Sequence, residues 1–86
     1  MKELLTFLIK NITNSDDFNI EEESDGEKIS MNVYANPSII GLIIGKNGKT
    51  IKNLRRIVAI RGAQEKKVIS INVIDQENPK EQTDLT

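Results

Sequence analysis

Two glycines, Gly45 and Gly48, lie three residues apart and enclose Lys46 and Asn47, and Lys49 follows directly. Because glycine lacks a side chain, such a loop exposes backbone N–H groups and lets a bulky anion approach closely. A helix that begins directly after the loop would point the positive end of its dipole at the same place. The two lysines add full positive charges. This glycine loop, residues 45–48, is therefore predicted to bind phosphate groups.

The positive charge continues beyond the glycine loop. If the next segment is helical, Lys49, Lys52 and Arg56 fall within about 60° of one another around its axis, since successive residues are rotated by about 100°. These three residues form a basic ridge that begins at the loop and would hold consecutive phosphates. The apolar residues of a different face, which we expect to enter the core, are Ile51, Leu54 and Val58.

The net charge of −1 hides an uneven distribution. Residues 1–36 carry three lysines and eight acidic residues, a net charge of −5, and residues 68–86 carry one lysine and four acidic residues, a net charge of −3. Residues 37–67 carry eight basic residues and one glutamate, a net charge of +7. A solvated helix face explains such a cluster equally well in isolation. Its coincidence with the glycine loop favours attraction of nucleic-acid phosphates.

The first half of the chain predicts one helix and a hairpin. Residues 2–11 have the apolar spacing of an amphipathic helix. Residues 18–24 alternate as a strand, Asp25 and Gly26 form a turn, and residues 29–35 alternate clearly as the return strand. The apolar residues of the predicted buried stripe of the helix are Leu5, Leu8, Ile9 and Ile12.

The glycine loop is expected between two helices. Asn36 is a suitable cap and Pro37 a suitable first residue for a short helix that ends at about Ile43 or Ile44. After the loop, a second helix is predicted over residues 49–61.

The end of the chain supplies the last predicted strand. Gly62 is expected to terminate the second of the two helices, and residues 67–74 alternate as a strand. The predicted order is α-β-β-α-α-β. Residues 1–75 would form a single domain, and residues 76–86 a polar, disordered tail.

Residues 43–51, Ile-Ile-Gly-Lys-Asn-Gly-Lys-Thr-Ile, resemble the signature of the KH domain. That signature is an apolar pair, then Gly-x-x-Gly, then an apolar residue three positions further on. Gly-x-x-Gly alone is a weak signal, but its position between two predicted helices flanked by strands makes it specific. The predicted order resembles the type II, prokaryotic arrangement, and the layout is similar to the small stand-alone bacterial KH proteins of the KhpA family over about residues 1–75.

The resemblance implies a fold, a ligand and partners. The fold would be α+β, a three-stranded sheet with three helices packed on one face. The loop would clamp about four nucleotides of single-stranded RNA or DNA, and the protein would act as a post-transcriptional regulator or RNA chaperone. The family also implies a homodimer, or a heterodimer with a larger KH-containing protein. The residues assigned to nucleic-acid binding are Ile40, Gly41, Ile43, Ile44, Gly45, Lys46, Asn47, Gly48, Lys49, Lys52 and Arg56.

Recognition of bases is expected to depend on aliphatic side chains. Tyr34 is the only tyrosine, and Phe7 and Phe18 lie on predicted core elements, so an aromatic stacking surface is not expected. The aliphatic residues expected to pack against bases are Ile40, Ile43, Ile44 and Val33. Binding by one copy would therefore be weak and loosely selective.

Two other interpretations concern the site itself. Gly48-Lys49-Thr50 also ends the phosphate loop of many nucleotide hydrolases, but that motif needs a glycine where this chain has Ile43. Nucleotide hydrolysis is therefore disfavoured. Gly41 either lets a ligand approach or only permits close helix packing.

The main alternative is a protein-interaction module with RNA binding secondary. Ile57 and Ile60 lie outside the core stripe of their helix, and they either cover the sheet or form a protein interface. A steep fall of binding with salt would favour the RNA-binding role, because phosphate neutralisation releases counterions.

Composition disfavours other classes of function. The chain has no cysteine and no histidine, so disulfides and His-based catalysis are excluded, and a zinc site lacks its usual ligands. No apolar run approaches the roughly 18 residues of a membrane span, and the N-terminus lacks a secretory pattern. We expect a cytoplasmic protein that is not an enzyme and uses no metal or cofactor.

Overall fold

The computed structural model describes residues 1–77 and the backbone of residues 82–83. Its elements are α1 Lys2–Thr13, β1 Phe18–Asp25, β2 Lys28–Ala35, α2 Pro37–Ile44, a 3₁₀ turn Lys46–Gly48, α3 Lys49–Gln64, β3 Val68–Asp75 and β4 Gln82–Thr83. The first three strands and the three helices follow the predicted order α-β-β-α-α-β, which confirms the α+β prediction.

The sheet has the strand order β1-β2-β3-β4. β1 and β2 form an antiparallel hairpin, whereas β2 and β3 are parallel and pair Val33 with Val73. Parallel neighbours need a crossover connection, and here it consists of α2, the glycine loop and α3. The loop is therefore held between two helices that both pack on the sheet.

The short strand β4 falls within the predicted tail, residues 76–86. Its two residues, Gln82 and Thr83, pair antiparallel with Ile74 and Val73 at the edge of the sheet. The rest of the predicted tail beyond Glu77 lies outside the described residues.

One hydrophobic core lies between the sheet and the three helices. Alternate residues of the strands face it, including Met31, Val33 and Ile71. The other face of the sheet is mainly polar, and there the Asn72 amide donates to the side-chain oxygen of Asn32 at 3.0 Å. The buried apolar residues that the helices contribute are Leu5, Ile9, Ile39, Ile40, Ile43, Ile51, Leu54 and Val58.

The stripe predicted for α1 is only partly correct. Leu5 and Ile9 are fully buried and Leu8 packs half-buried against the core, but Ile12 is 39% exposed. The helix extends to Thr13, which is buried in place of Ile12 and donates its hydroxyl to the Ile9 carbonyl at 2.8 Å.

The start of α2 confirms the prediction. Asn36 is extended, and its side-chain oxygen accepts a hydrogen bond from the Ile39 N–H at 3.0 Å. Pro37 occupies the first turn, where a missing N–H costs nothing.

The prediction that Gly62 ends the second loop-flanking helix is wrong. α3 continues through Gly62 to Gln64. A Cβ at position 62 would lie 2.5 Å from Cγ1 of Ile69 and 2.8 Å from the Lys67 carbonyl oxygen. This glycine therefore allows α3 to pack closely on β3. From the sequence alone, a glycine with this packing role looks the same as a glycine that ends a helix.

The actual end of α3 is formed by Lys66, a non-glycine residue with a φ of 58°. The Lys66 N–H donates to Ala63 at 3.2 Å, and the Lys67 N–H donates to Gly62 at 2.7 Å. These two bonds are the pattern of a Schellman motif, in which glycine is usual but not required.

Within the part of the chain that the structure describes, no helix combines the length and the apolar character needed to cross a membrane.

Candidate nucleic-acid interface

The glycine loop has a backbone path that depends on both of its glycines. Gly45 has a φ of 76° and Gly48 a φ of 74°, and Asn47 between them also takes a positive φ, 58°. These angles favour glycine and, among other residues, asparagine. Gly45 has a second reason to be glycine, because a Cβ there would lie 2.6 Å from Cβ of Thr50 and would overlap its hydroxyl.

Backbone hydrogen bonds hold the loop. The Gly45 N–H donates to Gly41 at 2.9 Å, and the Gly48 N–H donates to Gly45 at 3.2 Å. The Lys49 N–H donates to the carbonyl of Lys46. The shape of the loop is thus set by main-chain atoms, which leaves the exposed side chains of Lys46 and Asn47 available to a ligand.

The N-terminus of α3 lacks the residues that usually stabilise a helix start. Its cap is Gly48, with no side-chain hydrogen bond, and its first turn contains no acidic residue. Its first residue, Lys49, has the sign of charge that the helix dipole disfavours at this end. This arrangement leaves a positive helix end beside the loop, which is suited to an external anion.

The basic ridge forms as predicted on the surface of α3. Lys49, Lys52 and Arg56 are all exposed, as is Lys46 in the loop. Across residues 1–77, none of these four side chains is paired with a carboxylate. Unpaired cations attract phosphate more strongly than cations already neutralised within the fold.

The apolar residues assigned to the site lie at different depths. Ile40 and Ile43 of α2 are buried in the core and hold this helix against the sheet. Val33 of β2 is buried in the same core. Ile44 is half-buried, and Gly41 is exposed, with no atom of another part of the fold within 4 Å of where a Cβ would lie. That openness shows that Gly41 is not needed for close packing.

Leu42 was not predicted as a site residue, although it is 50% exposed beside Gly41. A signal for it exists in the sequence. The buried residues of α2 are Ile39, Ile40 and Ile43, and Leu42 is the apolar residue that falls outside this three-and-four spacing.

Arg55 is a second residue that sequence reasoning missed. It is half-buried, and its Nη2 donates to the Ile71 carbonyl at 3.3 Å. It therefore links α3 to the edge of β3, next to the basic ridge. The helical periodicity predicts that Arg55 lies between the core stripe and the basic ridge. It does not predict the hydrogen bond to β3.

The hairpin of β1 and β2 carries the opposite charge. Glu21, Glu22 and Glu23 are exposed along β1, and the Tyr34 hydroxyl donates to Glu21 at 3.3 Å. Partial burial and the nearby carboxylates of Glu21 and Glu23 raise the pKa of the Tyr34 phenol. In the described residues, no acidic cluster is arranged to hold a metal ion.

Besides Ile12 and Leu42, three further large apolar side chains are exposed on the described helices. Ile57 is 41% and Ile60 58% exposed on α3, and Phe7 is 63% exposed on α1. Phe7 lies on a helix that contributes to the core, as expected, but it falls outside the buried residues Leu5 and Ile9 of that helix.

The fold is consistent with a KH domain, and comparison with known proteins agrees. The model of the family described as "KhpA/KhpB, KH domain" matches residues 2–73. This chain therefore belongs to the KhpA/KhpB KH-domain family.

Several bacterial proteins are similar over most of their length. The RNA-binding protein KhpA of Halalkalibacterium halodurans is 30% identical over 64 residues, which cover 74% of this chain and 84% of that protein. KhpA of Clostridium perfringens is 28% identical over 75 residues, which cover 86% of this chain and 100% of that protein. KhpA of Bacillus subtilis is 30% identical over 64 residues, 74% of this chain and 79% of that protein. No solved structure is significantly similar to this chain.

Proposed function

We propose that this chain binds single-stranded RNA through the glycine loop and the basic ridge, with residues 1–75 as the binding domain of type II KH topology. The observation that carries the proposal is the uncapped, positively charged start of α3 beside unpaired cations. The names of the bacterial relatives, which are RNA-binding proteins, support it.

The loop would hold the sugar-phosphate backbone. The first N–H groups of α3, together with Lys46, Lys49, Lys52 and Arg56, would contact phosphates across about four nucleotides. Each neutralised phosphate adds to the salt dependence of binding, since it releases counterions. Because phosphates are the same in every nucleotide, binding of this kind depends little on the base sequence of the RNA.

The bases would lie beside the loop on the exposed part of α2. Gly41 lets them approach, and Leu42 and Ile44 offer apolar surface. Ile40 and Ile43 support this surface from the core. In the absence of aromatic stacking at this site, one copy binds weakly and with low selectivity, which suits a post-transcriptional regulator or RNA chaperone.

The test uses fluorescent single-stranded RNA pools at two salt concentrations. We expect the Lys46→Asp, Asn47→Asp variant to bind at least about tenfold more weakly than wild type, because it reverses the charge of the loop. The matched control is Lys10→Asp, Asn11→Asp, which changes the same two residue types at exposed positions of a different helix, α1. Circular dichroism verifies that both variants are folded.

Equal losses in the two variants would mean that only overall charge matters and that the loop is not the site. Unchanged binding in the loop variant would also mean that the loop is not the site. Selective loss in the loop variant, with binding that weakens steeply in salt, supports the proposal.

A second candidate function is docking of a protein partner through Ile57 and Ile60, either a second copy or a larger KH-containing protein. The exposure of both side chains on one helix favours it. An Ile57→Ser, Ile60→Ser variant that becomes monomeric in sedimentation, while its RNA affinity per site stays constant, would support this interface. The two functions are compatible, because joining two weak binders increases the overall affinity.

A further inference from the structure

The glycine loop contains a chemically reactive pair of residues. Asn47-Gly48 is the only Asn-Gly pair among the 86 residues. An asparagine followed by glycine is prone to deamidation, since the next backbone nitrogen can attack the side-chain amide carbon and glycine has no side chain to obstruct it. We propose that Asn47 is a site of spontaneous deamidation and that its conversion weakens RNA binding, the second part resting on the function proposed above.

The reaction requires only water. The Gly48 nitrogen gives its proton to solvent and attacks Cγ of Asn47. A bond forms between these two atoms, the bond from Cγ to Nδ2 breaks, and ammonia leaves. Water then opens the resulting five-membered imide at one of its two carbonyls, which yields aspartate or isoaspartate. No oxidant or reductant takes part.

The surroundings of Asn47 favour the attack. Its side chain is exposed, and within residues 1–77 its amide has no hydrogen-bond partner. Lys46 and Lys49 flank the pair, and the positive end of α3 begins at Gly48. Positive charge stabilises both the deprotonated nitrogen and the negative oxygen that develops on Cγ. The features that would attract phosphate thus also promote this reaction.

The folded loop slows the attack without preventing it. The Gly48 N–H donates to the Gly45 carbonyl at 3.2 Å, which is at the long end for such a bond. Asn47 has a ψ of 25°, so it must rotate before the nitrogen reaches Cγ. The loop must therefore open transiently, and an RNA that holds it closed would slow the conversion.

The product would change the charge of the site and leave the fold intact. Aspartate tolerates the positive φ of position 47 almost as well as asparagine. Its carboxylate would lie between Lys46 and Lys49, where phosphates are proposed to bind. Isoaspartate carries the same charge and adds one carbon to the backbone between the two glycines.

The experiment ages the full-length protein at mildly alkaline pH and physiological temperature. Peptide mapping by mass spectrometry follows the gain of about 1 Da that accompanies replacement of an amide by a carboxyl group. Asn14 is the internal control. It is also exposed with a positive φ, 54°, but Ser15 follows it and it lies at the negative end of α1. We expect Asn47 to convert several-fold faster than Asn14.

RNA binding of fresh and aged protein is measured in parallel. We expect fully converted protein to bind about tenfold more weakly than its own fresh sample, the effect of one added negative charge next to phosphate. Asn47→Gly is the matched variant, because glycine accepts the positive φ and has no amide to lose. Its binding should be the same before and after ageing.

Each outcome addresses one proposal. Fresh protein that binds RNA while Asn47 converts no faster than Asn14 would overturn the deamidation site and leave the RNA-binding function standing. Rapid conversion without any change in RNA affinity would overturn the link between the modification and the site. Fresh protein that does not bind RNA would refute the proposed function, and the mass data would still decide whether Asn47 is modified.

Discussion

The two helices around the glycine loop begin in opposite ways. α2 starts with Asn36, whose side chain accepts the Ile39 N–H, and with Pro37 in its first turn. α3 starts with Gly48 and Lys49, with no side-chain cap and no acid in the first turn. The start of α2 satisfies its own backbone groups, whereas the start of α3 leaves them to something outside the fold.

The surroundings of the two helix starts reinforce the difference. Asn36 also donates its side-chain amide to Asp17 at 3.3 Å, so the start of α2 is tied to the acidic part of the molecule. The start of α3 is surrounded by Lys46, Lys49 and Lys52. The start of α2 is therefore stabilised within the fold, whereas the start of α3 has the positive charge that the proposed function requires.

The largest effect is expected for Gly45→Ala, which alters the path that leads into α3. The new Cβ would overlap the Thr50 side chain at a φ of 76°. We expect a loss of about 2–4 kcal/mol in the free energy of unfolding. Urea denaturation measures it.

The matched control is Gly41→Ala, one turn earlier in α2. A Cβ at position 41 would meet no atom within 4 Å, and Gly41 has no positive φ. Alanine there should raise stability by about 0.5–1 kcal/mol. If both substitutions destabilise equally, the strain attributed to position 45 is wrong. A fall in RNA binding for the Gly41→Ala variant would show that bases approach there.

A smaller loss is expected for Asn36→Ala, which removes the cap of α2. Caps of this type contribute about 1 kcal/mol. Thermal unfolding should show the loss, whereas the RNA affinity of the folded protein should not change. A large drop in affinity would contradict the division of roles between the two helix starts.

The smallest change in stability is expected for Lys49→Glu. Unlike the losses expected for Gly45→Ala and Asn36→Ala, it is a gain. An acidic residue in the first turn of α3 interacts favourably with the helix dipole and should add about 0.3–1 kcal/mol. RNA binding should weaken at the same time. A neutral Lys49→Gln variant should fall between wild type and Lys49→Glu in both measurements, and a variant that loses stability would refute this interpretation of the helix start.

The start of α2 shows which features the sequence predicts well. Asn36 and Pro37 are local signals whose effect depends only on neighbouring backbone groups, and both predictions are confirmed. The alternation of β2 and the core stripe of α3 are equally local, and the structure buries Ile51, Leu54 and Val58 as expected. Residues 45–48 form a tight turn between two helices, as the glycine spacing predicts.

The features that could not be predicted depend on partners distant in the sequence. Gly62 is a packing residue because Ile69 lies against it, and Arg55 reaches the Ile71 carbonyl across the α3–β3 contact. Lys66 ends α3 with a positive φ that its residue type does not favour. The assignment of particular residues to RNA stays a prediction, since side-chain depth, as at Ile43, is set by tertiary packing.

The parallel pairing of β2 with β3 has a consequence for how the protein folds. Paired residues such as Asn32 and Asn72 are 40 positions apart, and no hairpin turn can start their association. The two strands can meet only after the intervening crossover has closed, so we expect folding in milliseconds to seconds rather than microseconds. The glycine loop connects the two helices of that crossover. A bulky residue at position 45 should therefore lower the rate constant of folding, in addition to any increase in the rate constant of unfolding.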